Sequence, residues 1–209
     1  MSKRTSRSAA DPHYDDEIGW ARVDDVVSMA RAQSILEGCE LALAAAETAP
    51  RIGDKPHGGT RRLVELLDRV PEATEVVIAV ASVVATIIEG PHELRDATYR
   101  CPQPGFGEQK LHADTLPLTA PGPNRCATVI VPLVAFTEDN GATRVVPGSH
   151  RRPDLQQRAG NLDRADGEVM LTGPVGSAFV FSGHLLHSGT KNCSTAPRPC
   201  LQLLFEATS

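Results

Sequence analysis

The sequence predicts a mainly β protein with flanking helices, built on a double-stranded β-helix of the cupin-like jelly-roll type. Two observations carry this prediction. After Gly90, short apolar runs are separated by clusters of Pro, Gly and Asn, a pattern typical of β-sandwiches and barrels. Before Gly90, apolar residues recur at helical spacing, so we expect helices to pack on the outside of one sheet.

The helical part of the chain precedes this β region. Asp24 or Asp25 can cap a first helix, and Pro50 is expected to end it. The spacing of leucine and valine predicts a second helix over Arg61–Arg69 and a third over Pro71–Ile88. These helices are the elements expected to cover the sheet.

Seven short segments in the second part have strand character. Clusters of Pro, Gly and Asn separate them from one another. They are Arg95–Tyr99, Leu111–Thr115, Ala127–Phe136, Thr143–Val146, Glu168–Leu171, Ser177–Phe181 and Pro199–Glu206. The segment from Phe179 to His187 is interpreted as one strand and its end. Their order in a sheet does not follow from the sequence.

Length and composition restrict the organisation of the chain. At 209 residues it is long enough for one domain with a proper core, which we assign to residues 19–209. Residues 1–18 contain three basic side chains among Ser and Thr without an apolar core, so we expect a disordered tail and no signal peptide. A net charge of −5 gives no reason to expect binding to nucleic acid or to an anionic membrane.

Two further patterns bear on the cellular location. The longest apolar run, Val76 to Ile88, is shorter than the roughly 18 residues expected of a membrane span. The five cysteines are scattered and form no CxxC pair, which indicates neither a disulfide framework nor a zinc ribbon. We therefore expect a protein of the reducing cytoplasm.

The candidate metal ligands are His112, Asp114 and His187. In an extended chain alternate side chains point the same way, so His112 and Asp114 are expected to converge on one point. His187 can supply a third ligand from a distant strand, although His184, three residues earlier, is a rival that spacing does not exclude. Two histidines and one carboxylate form the facial triad of non-heme Fe(II) oxygenases, which leaves coordination positions open.

Arg198 is the candidate for binding an anion. It precedes an apolar last strand, and an arginine directed into a barrel needs a carboxylate partner because an unpaired buried charge is very costly. A guanidinium binds a carboxylate through two hydrogen bonds, which is the contact that a dicarboxylate co-substrate requires.

The segment from Glu138 to His150, between the His-x-Asp pair and His187, resembles the phytanoyl-CoA dioxygenase family of Fe(II)/2-oxoglutarate-dependent oxygenases. The resemblance covers roughly Gly19 to Glu206 and is strongest over Gln109–Asp114, Asn140–His150 and Ser177–Arg198. Thr60 to Pro71 is similar to the natural-product branch of that family.

The resemblance implies a role for each candidate residue. His112, Asp114 and His187 are expected to hold iron, and Arg198 to bind the distal carboxylate of 2-oxoglutarate. Gln109 matches a position that helps to hold the near carboxylate, since an amide donor can bind a carboxylate oxygen without adding charge. Thr143 is expected to line the same pocket.

The family also implies an activity, namely oxidation of a small molecule with O2 and release of succinate and CO2. A carboxylate at position 114 favours hydroxylation or desaturation, because halogenating members have a small residue there. A small secondary metabolite or amino-acid derivative is the expected substrate, and the oligomeric state stays open.

The alternative function is a cupin-like metal protein without redox chemistry, either a hydrolase or a ligand-binding module. Candidate pocket walls are Tyr99, Leu116, Leu118, Val134 and Phe136.

Overall fold

The computed structural model describes residues 14–48, 53–54, 58–116, 122–164 and 166–208. Four α-helices lie within these ranges: α1 (Met29–Thr48), α2 (Leu66–Arg69), α3 (Thr74–Ile87) and α4 (Pro153–Gln156). The strands are β1 (Trp20–Val23), β2 (Thr60–Leu63), β3 (His92–Pro102), β4 (Cys126–Pro132), β5 (Thr143–Val145), β6 (Val169–Met170), β7 (Ala178–Ser182), β8 (His187–Gly189) and β9 (Cys200–Ala207). No helix in this part of the chain is long and apolar enough to span a membrane.

The strands form two antiparallel sheets. A six-stranded sheet has the order β1-β7-β4-β9-β3-β2, and a three-stranded sheet has the order β6-β5-β8. Because neighbours in space are distant in sequence, the sheets bring residues from both ends of the β region together. The jelly-roll architecture expected from the sequence is confirmed.

The centre of the large sheet is buried on both faces, which explains why β4 and β7 are almost entirely apolar. In β4, Val129 and Val131 belong to an outer core that also contains Ile35 of α1 and Val80 of α3. Ile130 between them faces an inner core with aromatic and apolar side chains of both sheets. The alternation along each strand therefore separates a helix-covered face from a face that lines the interior of the jelly roll.

Several predicted boundaries were wrong. Helix α1 begins at Met29 because Ser28 provides its N-terminal contacts, with the Ser28 hydroxyl accepting a hydrogen bond from the Arg31 backbone N–H at 3.2 Å. The first part of the helix predicted over Arg61–Arg69 is β2, which pairs with β3. Leucines three or four positions apart fit a helix, but here Leu63 ends a strand and Leu66 begins the short α2.

Two strand predictions also failed. Leu111–Thr115 is not a regular strand and forms only an isolated bridge, from His112 to His187. The segment Phe179–His187 is divided between β7 and β8 by a turn, so its two halves belong to different sheets. This turn is what places His187 across the interior from the large sheet.

The N-terminal residues are only partly described. Residues 14–18, which the sequence assigns to the disordered tail, contact the body of the structure, where Tyr14 is buried and Asp15 forms a bridge with Trp20. The rest of the predicted tail, residues 1–13, lies outside the described residues, as does Pro50.

The turn before β7 depends on a glycine, which leads to a prediction about stability. Gly176 has φ +78°, and a Cβ there would lie 2.2 Å from the Val27 carbonyl oxygen. Gly160 has φ +90° with nothing within 4 Å of such a Cβ. We expect Gly160→Ala to cost only the left-handed strain of about 1–2 kcal/mol. Gly176→Ala should cost a further ~1–3 kcal/mol from overpacking.

Urea unfolding of the two variants measures the difference. Equal losses of unfolding free energy would show that the contact between the Gly176 turn and the Val27 segment does not restrict this position.

Candidate active site

The three candidate metal ligands meet at one point inside the jelly roll. One ligand atom from each of His112, Asp114 and His187 lies within 4.8 Å of the other two. Among the described residues, no other group of His, Cys, Asp and Glu has this arrangement. The structure therefore brings together residues that are far apart in the sequence.

Backbone hydrogen bonds fix the positions of the two imidazoles. The His112 N–H donates to the His187 carbonyl oxygen at 3.0 Å, and the His187 N–H donates back to His112 at 2.9 Å. The ring centroids are consequently 4.5 Å apart. Asp114 is attached to the same region, since its N–H donates to the carbonyl oxygen of Gly183 at 2.8 Å.

The outer nitrogen of each ring sets the tautomer. His112 Nδ1 lies 2.8 Å from the Lys110 carbonyl oxygen, and His187 Nδ1 lies 2.9 Å from that of Leu185. A carbonyl oxygen only accepts, so each Nδ1 carries the proton and each Nε2 offers a lone pair to the site. Burial lowers the pKa of His187, which favours the neutral ring that a metal requires.

A threonine orients the carboxylate. The Thr128 hydroxyl donates a hydrogen bond of 2.5 Å to Asp114 Oδ2, and the same oxygen lies 3.5 Å from His187 Nε2. Thr128 was not among the residues expected at the site. The signal was present, because Thr128 is a polar residue at an inward-facing position of the otherwise apolar β4.

The rival histidine lies elsewhere. His184 is buried, its Nδ1 lies 3.2 Å from the Leu116 carbonyl oxygen, and its own carbonyl oxygen accepts from Gln156. It is not part of the cluster with His112 and Asp114. Of the two alternatives that spacing left open, the structure places His187 beside the other two side chains.

Arg198 lines the same cavity as His112 and His187. Its exposed fraction is 5%, and its buried Nε has no hydrogen-bond partner. The guanidinium carbon lies 4.4 Å from the ring centroid of Phe136, and a terminal nitrogen lies 3.8 Å from the Cys200 sulfur. No ion pair joins Arg198 to an acidic residue in the described part of the chain. Such a buried cation is costly unless a ligand brings a carboxylate to it.

Gln109 and Thr143 also line this cavity. The Gln109 side-chain oxygen accepts a hydrogen bond of 3.1 Å from the Gly189 N–H, so its amide nitrogen remains available as a donor. Thr143 is buried at the start of β5, opposite Gly189 of β8. All six candidate site residues thus lie at or beside one cavity.

The residues predicted to form the pocket walls lie in different parts of the structure. Phe136 packs against Arg198 as described, whereas Tyr99 lies in the outer core, where its hydroxyl donates to Glu40 at 2.5 Å. Leu116 is 84% exposed, and Leu118 lies outside the described residues. The prediction was wrong for Tyr99 because neighbouring residues of β3 face opposite sides of the sheet.

Two further arginines were missed. Arg100 lines the cavity from β3 and donates a hydrogen bond of 2.9 Å to the Gln202 side-chain oxygen. Arg62 lies opposite Arg100 on β2, and its buried Nε has no hydrogen-bond partner. Arg100 could have been found from the sequence, because it lies one residue after the predicted strand Arg95–Tyr99. Arg62 could not, because it lies in a segment that was predicted to be helical, and a helix would not pair with β3.

Burial is the main cause that lowers the pKa of Arg100, and the nearby charges of Arg62 and Arg198 lower it further. The negative charge of Asp114 acts in the opposite direction. The guanidinium of Arg100 therefore lies within electrostatic reach of both the metal-ligand cluster and Arg198.

Comparison with known proteins identifies the family to which the chain is similar. The family model described as phytanoyl-CoA dioxygenase (PhyH) matches residues 16–200. Among curated proteins, the chain is 28% identical over 158 residues to the multifunctional dioxygenase prhA of Penicillium brasilianum, covering 63% of this chain and 52% of that protein. The chain thus spans about half the length of that relative.

Solved structures share the fold. EctD from S. alaskensis with bound Fe has a TM-score of 0.76 at 19% identity, covering 99% of this chain and 79% of that one. HygX from Streptomyces hygroscopicus with nickel, 2-oxoglutarate and hygromycin B has a TM-score of 0.68 at 14% identity, covering 92% and 84%. The family match extends over most of the sequence and all six candidate site residues fall within it. The chain belongs to the phytanoyl-CoA dioxygenase family.

Proposed function

We propose that the chain is a non-heme Fe(II)- and 2-oxoglutarate-dependent dioxygenase. One observation carries the proposal: the buried Arg198 guanidinium, without an acidic partner among the described residues, lines the cavity that the His112 and His187 rings enter. A metal-binding cupin without redox chemistry needs the histidines and the carboxylate but has no use for a buried, unpaired cation. A dicarboxylate bound to the metal needs both the metal ligands and a cation for its distal carboxylate.

His112, Asp114 and His187 would hold Fe(II) through two Nε2 atoms and one carboxylate, and Arg198 would bind the distal carboxylate of 2-oxoglutarate. Gln109 would donate its amide N–H to the near carboxylate, and Thr143 would close the wall beside it. Thr128 holds Asp114 in one orientation, so the carboxylate does not have to be ordered when the ion binds.

When bound, Fe(II) with 2-oxoglutarate and O2 would supply the oxidising power for the substrate, and the co-substrate would be converted to succinate and CO2. The chain orients these ligands and surrounds them with a largely dry cavity. Phe181 packs against the His187 ring at a centroid distance of 4.8 Å, and Ile130 lines the cavity, so the site excludes bulk water on this side.

The substrate class is part of the proposal. We expect hydroxylation or another oxidation of a small-molecule secondary metabolite or amino-acid derivative. The fungal relative prhA is a dioxygenase, and HygX was solved with hygromycin B bound, which supports a small-molecule substrate. The five free cysteines, four of them buried, fit a reducing cytoplasm, and residues 19–209 would act as one domain.

The first prediction concerns formation of the metal complex. Anaerobic addition of Fe(II) and 2-oxoglutarate should produce a visible charge-transfer absorption band, because the co-substrate chelates the ion. His112→Ala and Asp114→Ala each remove one ligand and should weaken Fe(II) binding by at least about tenfold to a hundredfold. The band and the Fe(II) dissociation constant are measured in parallel for each variant.

His92→Ala is the matched control, since His92 lies at the far end of β3 from the cavity-lining Arg100. Its Fe(II) affinity should equal that of the wild type. Fe(II) binding without any band on addition of 2-oxoglutarate would favour the non-redox cupin instead.

A second prediction separates co-substrate binding from metal binding. Arg198→Gln should raise the KM for 2-oxoglutarate by roughly tenfold to a hundredfold, because it removes a charged hydrogen bond, while leaving Fe(II) affinity unchanged. Arg198→Lys keeps the charge but not the planar guanidinium, so its KM for 2-oxoglutarate should lie between those of the wild type and Arg198→Gln. Succinate formation gives the KM, and an unchanged value in Arg198→Gln would remove this residue from the co-substrate site.

A further inference from the structure

The cavity contains more positive charge than the proposed co-substrate requires. Arg100 and Arg198 both line it, and none of its described lining residues is acidic. Arg62 lies beside Arg100 in the register of β2 and β3 and points to the same face of the sheet. The charges of Arg62 and Arg198 both act on Arg100, so the three side chains lie near one another at this end of the jelly roll.

Arg100 and Arg62 have no acidic partner of their own in the described part of the chain. The hydrogen bond given for Arg100 goes to the neutral Gln202, and Arg62 has a buried Nε without a partner. By contrast, Arg61 on the other face of β2 forms an ion pair of 2.8 Å with Glu40. The chain thus pairs the arginine that faces outward and leaves the two inward-facing ones unpaired.

Charge neutrality decides what these arginines can bind. A ferrous ion, the Asp114 carboxylate, the two carboxylates of 2-oxoglutarate and Arg198 together cancel. Both ends of the co-substrate also have donors already, Arg198 at one end and the Gln109 amide with the metal at the other. The charges of Arg100 and Arg62 are surplus to this set, and like charges this close repel unless an anion lies between them.

We infer that Arg100, supported by Arg62 and oriented by Gln202, binds an anionic group of the primary substrate, so that the substrate is a carboxylate-bearing small molecule. This inference rests on the proposed function and narrows its substrate class. Arg100 is half-buried and lines the cavity, so an anion inside the cavity can reach its side chain. A carboxylate held there would fix the substrate by one end and leave its remaining carbon skeleton to extend toward His112 and His187.

The test uses propionate and its neutral isostere propionamide as probes of the complete Fe(II) and 2-oxoglutarate complex. Under anaerobic conditions and saturating 2-oxoglutarate, the paramagnetic iron should broaden the proton resonances of bound propionate. We expect the broadening to exceed that of propionamide by about tenfold, the effect of one charged hydrogen bond. Arg100→Gln should abolish this preference, and Arg100→Lys should keep part of it.

Arg95→Gln is the matched control, because Arg95 is an exposed arginine on the same strand and should leave the broadening unchanged. Equal broadening by both probes, or the same preference in Arg100→Gln, overturns the inference. So does a loss of 2-oxoglutarate affinity in Arg100→Gln as large as in Arg198→Gln, since Arg100 would then belong to the co-substrate site.

The absorption band of the complex keeps the two proposals apart. If the wild-type chain forms no band with Fe(II) and 2-oxoglutarate, the proposed function fails and the inference fails with it. If the band forms normally but propionate gains nothing over propionamide, only the inference about the substrate fails.

Discussion

The reciprocal backbone hydrogen bonds between His112 and His187 are the contact on which the site depends. They join a loop that follows β3 to the first residue of β8, and so connect segments attached to different sheets. Because both residues are held by their backbones, their side chains start from fixed positions, and carbonyl oxygens of Lys110 and Leu185 then set the ring tautomers. The geometry for binding a metal is therefore a property of the fold and does not require the ion to organise it.

The same fold concentrates positive charge. Arg198, Arg100 and Arg62 come from three adjacent strands or their ends, and the alternation of side chains directs them inward. Removing charged groups from water without partners destabilises a protein, so a cluster of this kind is expected where ligands supply the compensating charge. The aromatic ring of Phe136 beneath Arg198 offsets part of the cost before any ligand arrives.

Much of the site could be predicted because its residue types are rare and their spacing is specific. The His-x-Asp pair and the distance from His187 to Arg198 were readable, as was the family resemblance that joins them. The predicted strand was nonetheless wrong: His112 and Asp114 converge from an irregular segment with one isolated bridge. The spacing still indicated the right neighbours, because the bridge to His187 fixes His112 and the hydrogen bond from the Asp114 N–H to the Gly183 carbonyl oxygen fixes Asp114.

The site residues that were not predicted depend on pairing between distant segments. Arg62 was hidden inside a predicted helix, since leucines at helical spacing also fit a strand followed by a short turn of helix. Arg100 faces the cavity only because β3 continues beyond Tyr99 to pair with β2 and β9. Local strand propensity does not predict that β3 continues past Tyr99, because hydrogen bonding to the neighbouring strands causes it to continue.

The central claim is that one metal-bound dicarboxylate connects the His-Asp-His cluster with Arg198. A crystal structure of the anaerobic complex with Fe(II) and 2-oxoglutarate tests it most directly. The account predicts one ion bonded to His112, Asp114 and His187, with the distal carboxylate of the co-substrate on the Arg198 guanidinium. An ion bound elsewhere, or a distal carboxylate that leaves Arg198 without a partner, would contradict it.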